Sequence, residues 1–312
     1  MFSAWRIFRR GKTTKKDVMN FEMHLEDNIF SLHEEVKNNA YRHSSYTHFQ
    51  IFDSKKRDIY KAEIKDRIIH QIIYDYLLAI FEPLFISDSY ASRKYKGQYK
   101  AIDTFRYFVR LVSGAHRKCY VLKCDVRKYF DNVDHDILLN IIKEKVPCEK
   151  ILRIIHQIIL SFHSSDSAQK GIPLGNVTSQ IFANIYLNSL DQYAKKELRC
   201  RLYVRYNDDI ALIFQNNKGI VDIRDKIILF AKEKLFLEIP LNKTSIRKIG
   251  WGIDFLGFTI LPEAILLRDK TKHKIYSNIN NKNIHSYLAI LKHCNSFNLK
   301  TKILAMEKIC EI

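Results

Sequence analysis

The chain of 312 residues carries 52 lysines and arginines against 34 aspartates and glutamates, a formal net charge of +18 at pH 7. Hydrophobic residues make up 46% of it, which is enough for a sizeable core and excludes an intrinsically disordered chain. The positive surplus predicts an anionic partner, and nucleic acid is the natural one because its phosphates attract basic proteins regardless of base sequence. A merely soluble basic protein is the alternative that charge alone leaves open.

Hydrophobic spacing predicts alternating helices and short strands along the chain. In the first half, the elements are a helix within residues 17–40, a hairpin from 49–52 and 58–60, helices over 63–81 and 100–112, and a strand over 119–125. In the second half, they are two helices within 135–162, a helix over 178–198, a hairpin within 202–214, a helix over 220–235, strands up to residue 260, and weak helical patterns over 284–291 and 299–309. One continuous α+β body is predicted, because no repeat, linker or low-complexity tract interrupts this order.

Signals for secretion or membrane insertion are not recognisable in the sequence. Residues 1–16 lack the apolar core and the cleavage site of a signal peptide. The longest apolar stretch, residues 68–81, is too short for a bilayer and is interrupted by His70, Gln71 and Asp75. We therefore expect a cytoplasmic protein that does not bind membranes.

Two adjacent aspartates, Asp208 and Asp209, lie between short apolar runs, and Asp125 ends another strand. Asn207-Asp208 is a common turn pair, so a plain hairpin turn is the alternative for this segment alone. Mg²⁺ prefers carboxylate and phosphate oxygens, and two such ions about 3.5–4 Å apart stabilise both the attacking and the leaving oxygen of a phosphoryl transfer. The three acids therefore predict a two-ion centre.

Five segments resemble, in order and spacing, the palm motifs of reverse transcriptases. They read Asp125-Val-Arg-Lys-Tyr-Phe130-Asp131, Gly171-Ile-Pro-Leu-Gly175-Asn-Val-Thr-Ser179-Gln180, Tyr206-Asn-Asp-Asp209, Leu241-Asn-Lys243-Thr and Phe255-Leu-Gly257-Phe. Within that superfamily the chain looks most like the enzymes of diversity-generating retroelements, which carry Leu-Gly-x-x-x-Ser-Gln, and it is close to group II intron and phage-defence reverse transcriptases. The similarity covers most of the chain.

The resemblance implies a right-hand polymerase fold with fingers, an antiparallel-sheet palm and a short helical thumb. Its implied division is an N-terminal helical extension at 1–48, fingers at 49–115, a palm at 116–262 with 163–176 contributing to the nucleotide pocket, and a thumb at 263–312.

The resemblance also implies the catalytic residues. Asp125, Asp208 and Asp209, with the Val126 carbonyl, would hold two Mg²⁺ ions, for which Mn²⁺ can substitute. Lys243 matches a lysine near the leaving pyrophosphate. A positioned ammonium group there typically raises the reaction rate by about 10²–10⁴-fold. A solvated surface lysine is the alternative for that position.

A second implied set binds the incoming dNTP. Its members are Arg57, Arg67, Phe130, Leu174, Gly175 and Gln180. Phe130 matches an aromatic residue that clashes with a ribose 2′-OH and so favours dNTPs over NTPs, whereas a core phenylalanine is the alternative. Leu174 stands where high-fidelity relatives have Gln, and the lost hydrogen bond predicts low fidelity, biased at template adenines, unless Leu174 simply packs beneath its loop.

The third implied set contacts primer and template, and it consists of Arg93, Tyr206, Asn207, Phe255, Leu256 and Gly257. The expected partners are an RNA template, a DNA or RNA primer and dNTPs, together with a small basic helical accessory protein and a structured noncoding RNA.

The sequence thus predicts a bacterial or phage-encoded RNA-directed DNA polymerase of a diversity-generating retroelement. One alternative is a phage-defence reverse transcriptase that uses a dedicated noncoding RNA or no template. A non-catalytic RNA-binding scaffold is the other, and it is disfavoured because all three carboxylates are present.

Overall fold

The structure is a computed structural model that describes residues 1–52, 56–113, 119–164, 167–280 and 283–310. Its helices are α1 Phe2–Arg9, α2 Lys16–Met23, α3 Leu25–Lys37, α4 Ile64–Phe81, α5 Gln98–Ser113, α6 His135–Lys143, α7 Glu149–Leu160, α8 Val177–Gln192, α9 Ile220–Leu235, α10 Asp269–Asn278, α11 Ile284–Leu291 and α12 Phe297–Cys310. Its strands are β1 Thr47–Phe52, β2 Lys56–Lys61, β3 Tyr120–Asp125, β4 Tyr203–Tyr206, β5 Asp209–Phe214, β6 Ser245–Lys248, β7 Ile253–Phe255, β8 Phe258–Ile260 and β9 Ile265–Leu267. The mixture of helices and antiparallel sheets confirms the α+β class.

The chain folds into two compact units, each discontinuous in sequence. The first comprises Met1–Ile86, Arg127–Tyr193 and Leu229–Glu238, and the second comprises Ser87–Val126, Ala194–Ile228 and Ile239–Ile312. These units follow contacts within the structure and do not test the proposed boundaries of fingers, palm and thumb, which stay a prediction.

The central sheet of the second unit has the strand order β4-β5-β3-β6, and its paired strands are antiparallel. The inner strands β3 and β5 are rich in apolar side chains, and residues 210–213 are all buried. Strands buried on both faces read as continuous apolar runs, which is why they were recognisable in the sequence. The predicted strand ending at Asp125 and the predicted hairpin within 202–214 are both confirmed.

A smaller sheet, β7-β8-β9, shares the hydrophobic core of the second unit with α5 and the C-terminal helices. Phe255 on β7 stacks on Phe105 of α5 with ring centroids 5.2 Å apart, and both rings are fully buried. Strand β9 and helix α10 were not predicted from the sequence, because a strand of three residues and a polar helix show too little periodicity.

The first unit is built mainly from helices, with the hairpin β1–β2 beside them. Its long helices α4 and α8 pack on each other and are lined by buried aliphatic side chains. The buried carboxylate of Asp66 on α4 accepts hydrogen bonds from the Tyr41 hydroxyl at 2.8 Å and the Ser44 amide at 3.2 Å. Both oxygens of this buried carboxylate are thereby hydrogen-bonded, as a well-packed core requires. The predicted hairpin is confirmed, although turn residues 53–55 lie outside the described residues.

Two helix boundaries differ from expectation. The helix expected within 17–40 breaks at His24, whose φ of −124° and ψ of 42° are not helical, and so it forms α2 and α3. The helix expected to reach residue 198 ends as α8 at Gln192 and continues as one π-helical turn over Tyr193–Glu197. Among the described helices, none combines the length and the apolar composition needed to cross a membrane.

Candidate active site

The acidic turn of the second unit joins β4 to β5 through Asn207 and Asp208. Asn207 adopts a left-handed conformation with φ of 53°, which Asn tolerates better than most residues and which suits a two-residue hairpin turn. The fully buried Arg205 donates a hydrogen bond of 3.1 Å from Nη1 to the Asn207 carbonyl. A buried guanidinium group thus fixes the backbone that carries the paired aspartates.

Sheet register brings the third acid to the same place. Asp125 at the end of β3 pairs with Asp209 at the start of β5. Directly opposed residues of an antiparallel pair have Cβ atoms about 4.5–5.5 Å apart, so these two carboxylates are neighbours. Burial first, and then the carboxylates of Asp125 and Asp209, raise the pKa of Asp208 to about 6, against the opposing effect of Lys243. A partly buried carboxyl group that has two acidic neighbours is a site of unbalanced negative charge.

Two lysines contact these acids. Lys243 ends a short 3₁₀ turn before β6, and its Nζ lies 2.6 Å from Asp125 Oδ1. Lys123 on β3 places its Nζ 3.4 Å from Asp209 Oδ1. The sequence motifs predicted a role for Lys243 but not for Lys123. Because side chains alternate along a strand, its position two residues before Asp125 was the available signal that both lie on one face.

The donor set suits a hard divalent cation, but it is not pre-assembled. Within the described ranges, no group of three or more His, Cys, Asp or Glu side chains is gathered closely enough to hold a metal ion. Lys243 contacts Asp125 and Lys123 contacts Asp209, so an ion bound by both of these carboxylates would compete with both lysines. Oxygen donors of this kind still match the preference of Mg²⁺. Val126, buried directly after Asp125, remains a predicted carbonyl ligand.

The predicted primer and template residues of the second unit differ in accessibility. Leu256 and Gly257 form the β7–β8 turn with φ of 48° and 85°, and Gln98 Nε2 donates a 2.7 Å hydrogen bond to the Leu256 carbonyl. Arg93 Nη1 donates to the Ser89 carbonyl at 2.8 Å. The side chain of Phe255 is fully buried in the core of the second unit, and its contact with the primer stays a prediction. Tyr206 is partly buried on β4, opposite Asp209.

The predicted nucleotide residues Phe130, Leu174 and Gly175 lie on one framework in the first unit. The Tyr60 amide of β2 donates to the Leu174 carbonyl at 2.9 Å, and the Ile172 amide donates to the Phe130 carbonyl at 2.8 Å. A Cβ at Gly175, where φ is 113°, would lie 2.9 Å from Ile59 Cγ2, so only glycine fits this close approach. The side chains of Phe130 and Leu174 stay half-buried, and Gln180 is exposed on α8.

Of the two predicted finger arginines, Arg67 has the more defined surroundings. It lines a cavity of about 200 Å³ with Gly175, and its guanidinium carbon lies 4.9 Å from the centre of the Phe8 ring. Burial lowers the pKa of Arg67, and Asp17 Oδ2 lies 3.7 Å from its Nη1. Arg57 is exposed on β2 and is not among the described residues that line this cavity. The N-terminal partners of Arg67 were not anticipated from the sequence.

Comparison with known proteins defines the class. Residues 37–260 match the family described as reverse transcriptase (RNA-dependent DNA polymerase), which is more than half of the chain. The chain belongs to the reverse transcriptase family.

Individual relatives are distant. The chain is 26% identical over 246 residues to protein YkfC of Escherichia coli K12, which covers 67% of this chain and 64% of YkfC. It is 26% identical over 272 residues to the group II intron-encoded protein LtrA of Lactococcus lactis subsp. cremoris, covering 66% of this chain and 44% of LtrA. The chain therefore spans less than two thirds of the length of either relative.

Solved structures support the fold. Apo telomerase from Candida tropicalis aligns with 80% of this chain and 52% of its own, at a TM-score of 0.55 and 15% identity. A form truncated from the C-terminal domain aligns with 78% of this chain and 60% of its own, at a TM-score of 0.53 and 15% identity. At this identity the likeness concerns the fold alone, and it fits a right-hand polymerase architecture.

Proposed function

We propose that the chain is an RNA-directed DNA polymerase that copies an RNA template into cDNA. The observation that carries the proposal is the pairing of Asp125 with Asp209 beside Asp208, whose pKa is raised to about 6 by burial and by those two acids. A chain of this family with three acids at one end of the central sheet has the ligands that two-ion nucleotidyl transfer requires. Loss of one acid would be the expected mark of a non-catalytic scaffold.

The proposed roles follow from the chemistry of each group. Asp125, Asp208, Asp209 and the Val126 carbonyl would hold Mg²⁺ ions, which supply charge stabilisation to the attacking and leaving oxygens when bound. The ammonium group of Lys243, on leaving Asp125, is free to neutralise the pyrophosphate. In the first unit, Phe130 would exclude a 2′-hydroxyl group by steric conflict.

Primer extension by the purified protein tests this function. A primer annealed to an RNA template is supplied with Mg²⁺ and either dNTPs or NTPs, and a DNA template of the same sequence is run beside it. We expect extension with dNTPs on RNA. Extension with NTPs alone would place the protein among RNA polymerases, and no extension under any condition would contradict catalysis.

We further propose the diversity-generating subtype, with low fidelity at template adenines. Support comes from Leu174-Gly175 and Ser179-Gln180, and from the main-chain bond between Tyr60 and Leu174, which lets the side chain change without moving the loop. Leu174→Gln should lower misincorporation opposite adenine several-fold, since one hydrogen bond contributes about 0.5–1.5 kcal/mol. Single-nucleotide incorporation opposite each template base measures it, and equal error rates in both proteins would contradict the subtype.

The partners belong to the same proposal. An RNA template, a primer and dNTPs are its substrates, and a small basic helical protein and a structured noncoding RNA are its proposed partners. The net charge of +18 supports anionic partners. A neighbouring pair of template and variable repeats that differ at adenines would favour the retroelement role over phage defence.

A further inference from the structure

Lys123 lies on the catalytic face of the central sheet although no motif of the sequence includes it. Its Nζ lies 3.4 Å from Asp209 Oδ1 and donates a 2.7 Å hydrogen bond to the Asp254 carbonyl of β7. The same ammonium group is 5.7 Å from the centre of the Phe255 ring. One side chain thus joins the acidic turn to the first strand of the β7–β8 hairpin.

The surroundings of Lys123 restrain it more than those of the other lysine. The side chain of Lys123 is 21% exposed, whereas that of Lys243 is 43% exposed. An ammonium group has three donors, and here one is held by a main-chain carbonyl of neighbouring β7. The attraction between Lys123 and Asp209 is therefore screened less by water and salt than that of an ordinary surface pair.

The ammonium group of Lys123 and a divalent cation require the same carboxylate oxygens. The three acids carry more negative charge than the two lysines balance, yet no metal-ligand group is pre-assembled among the described residues. The hydrogen bond from Lys123 of β3 to the Asp254 carbonyl of β7 restrains the ammonium group, so it stays near Asp209 more than the ammonium group of a free surface lysine would.

We propose that Lys123 is a positioning residue that ties Asp209 to the β7–β8 hairpin and competes with a divalent cation for the Asp209 carboxylate. Binding of an ion at Asp209 then requires Lys123 to withdraw from Oδ1, and its bond to the Asp254 carbonyl couples that withdrawal to the hairpin. Coupling of this kind is reciprocal: a change at the hairpin alters ion affinity, and ion binding alters the hairpin. The inference rests on the proposed function for the identity of the ion site.

Mn²⁺ binding to the full chain without nucleic acid tests the competition. Titrations followed by electron paramagnetic resonance compare the wild type with Lys123→Met, Lys123→Arg and Lys248→Met. Lys248→Met is a matched control, because this substitution removes the same charge from the same unit. The ammonium group of Lys248, on β6, lies over the Trp251 ring. We expect Lys123→Met to bind Mn²⁺ roughly three- to tenfold more tightly, since one competing cation is gone. Lys123→Arg and Lys248→Met should stay close to the wild type.

If Lys123 had only a structural role, Lys123→Met would loosen the site. The affinity for Mn²⁺ would then fall or stay unchanged. Equal or weaker binding by Lys123→Met overturns the proposal. In an Asp209→Asn background the gain should vanish, since the contested carboxylate is absent. If Lys123→Met does not fold, Lys123→Gln carries the same expectation.

Amide hydrogen exchange over residues 253–260 tests the tether. Exchange should be faster in Lys123→Met than in Lys123→Arg, and Mn²⁺ should accelerate it in the wild type; unchanged exchange in both comparisons overturns the coupling. Primer extension by the wild type is measured in parallel. Absent extension together with a normal Lys123→Met effect contradicts the proposed function alone, whereas extension without that effect contradicts this inference alone.

Discussion

Two hairpins of the second unit both have two-residue turns but very different chemistry. Both β4–β5 and β7–β8 turn through two residues, with φ of 53° at Asn207 and 48° at Leu256. The first turn carries Asp208, whose pKa is raised to about 6 by burial and by neighbouring acids. The second turn carries only Leu256 and Gly257. A left-handed first turn residue is therefore common to both hairpins, whereas the second turn residue is left-handed only at Gly257, with φ of 85°. The acids around the first turn are what make it a candidate site.

Each hairpin nevertheless has an aspartate, Asp208 in the first and Asp254 in the second, and the surroundings of these two carboxylates can be compared. Asp254 on β7 lies 2.9 Å from Arg268 Nε and accepts a 2.8 Å hydrogen bond from the Thr259 hydroxyl. Asp208, by contrast, has Asp125 and Asp209 as neighbours. One carboxylate is paired with an arginine, whereas the other lies beside two acids. The same substitution at the two positions therefore separates the two environments.

The largest expected effect is on catalysis. Asp208→Asn should lower kcat/KM for primer extension by about 10³-fold or more, because a ligand that stabilises charge in the transition state is lost. Asp254→Asn should change it less than about threefold, since surface pairs contribute little. Steady-state extension assays measure both. Comparable losses in the two variants would mean that the acidic turn has no special role.

Lys243 should give the next largest effect. Lys243→Met is expected to lower the single-turnover rate at saturating dNTP by about 10²-fold, because a positioned ammonium group is removed. Lys243→Arg should retain most of the activity. Arg268→Met, which removes the cation beside Asp254, serves as the control from the other hairpin. An unchanged rate in Lys243→Met would mean that Lys243 is an ordinary solvated surface lysine with no part in catalysis.

The pH dependence of metal binding sharpens the same comparison. The pKa of Asp208 is raised to about 6, so a proton competes with the cation below that pH. We expect Mn²⁺ affinity to be nearly constant above pH 7 and to fall by up to about tenfold per unit below pH 6. Asp254→Asn should keep this profile and Asp208→Asn should lose it. A flat profile between pH 5 and 7 in the wild type would contradict the assignment.

The smallest expected effect is on stability. The pKa of Asp208 is raised from 3.8 to about 6, so the extra stability from its bound proton is present below pH 3.8 and is lost as the pH rises through 6. At pH 8 in EDTA, Asp208→Asn should therefore raise the free energy of unfolding by about 1–3 kcal/mol. Asp254→Asn should lower it by a few tenths of a kcal/mol. Urea unfolding measures both, and a less stable Asp208→Asn variant would be the contrary result.

The elements of the central sheet were predictable, because apolar runs and flanking turn residues are local signals. The strand ending at Asp125, the hairpin around Asp208 and the helix over Ile220–Leu235 all lie where the pattern placed them. The family motifs also placed Lys243, whose contact with Asp125 joins residues far apart in the chain.

Features that depend on tertiary packing could not be predicted. The burial of Phe255 follows from its stacking on Phe105, which no local pattern encodes. The approach of Phe8 and Asp17 to Arg67 depends on how the N-terminal helices pack. The contact between Lys123 and Asp209 follows from strand pairing, since Asp209 reaches β3 only through the sheet register. Sequence motifs identify residues whose chemistry suits a catalytic site, whereas the register of the strands determines which of these residues contact one another.

Anomalous diffraction at the manganese edge tests the central claim most directly. Crystals of the protein with primer, RNA template, Mn²⁺ and a non-hydrolysable dNTP are predicted to show two peaks about 3.5–4 Å apart, bounded by Asp125 and Asp208. Peaks elsewhere, or none beside these carboxylates in a crystal that contains the nucleotide, would contradict the account.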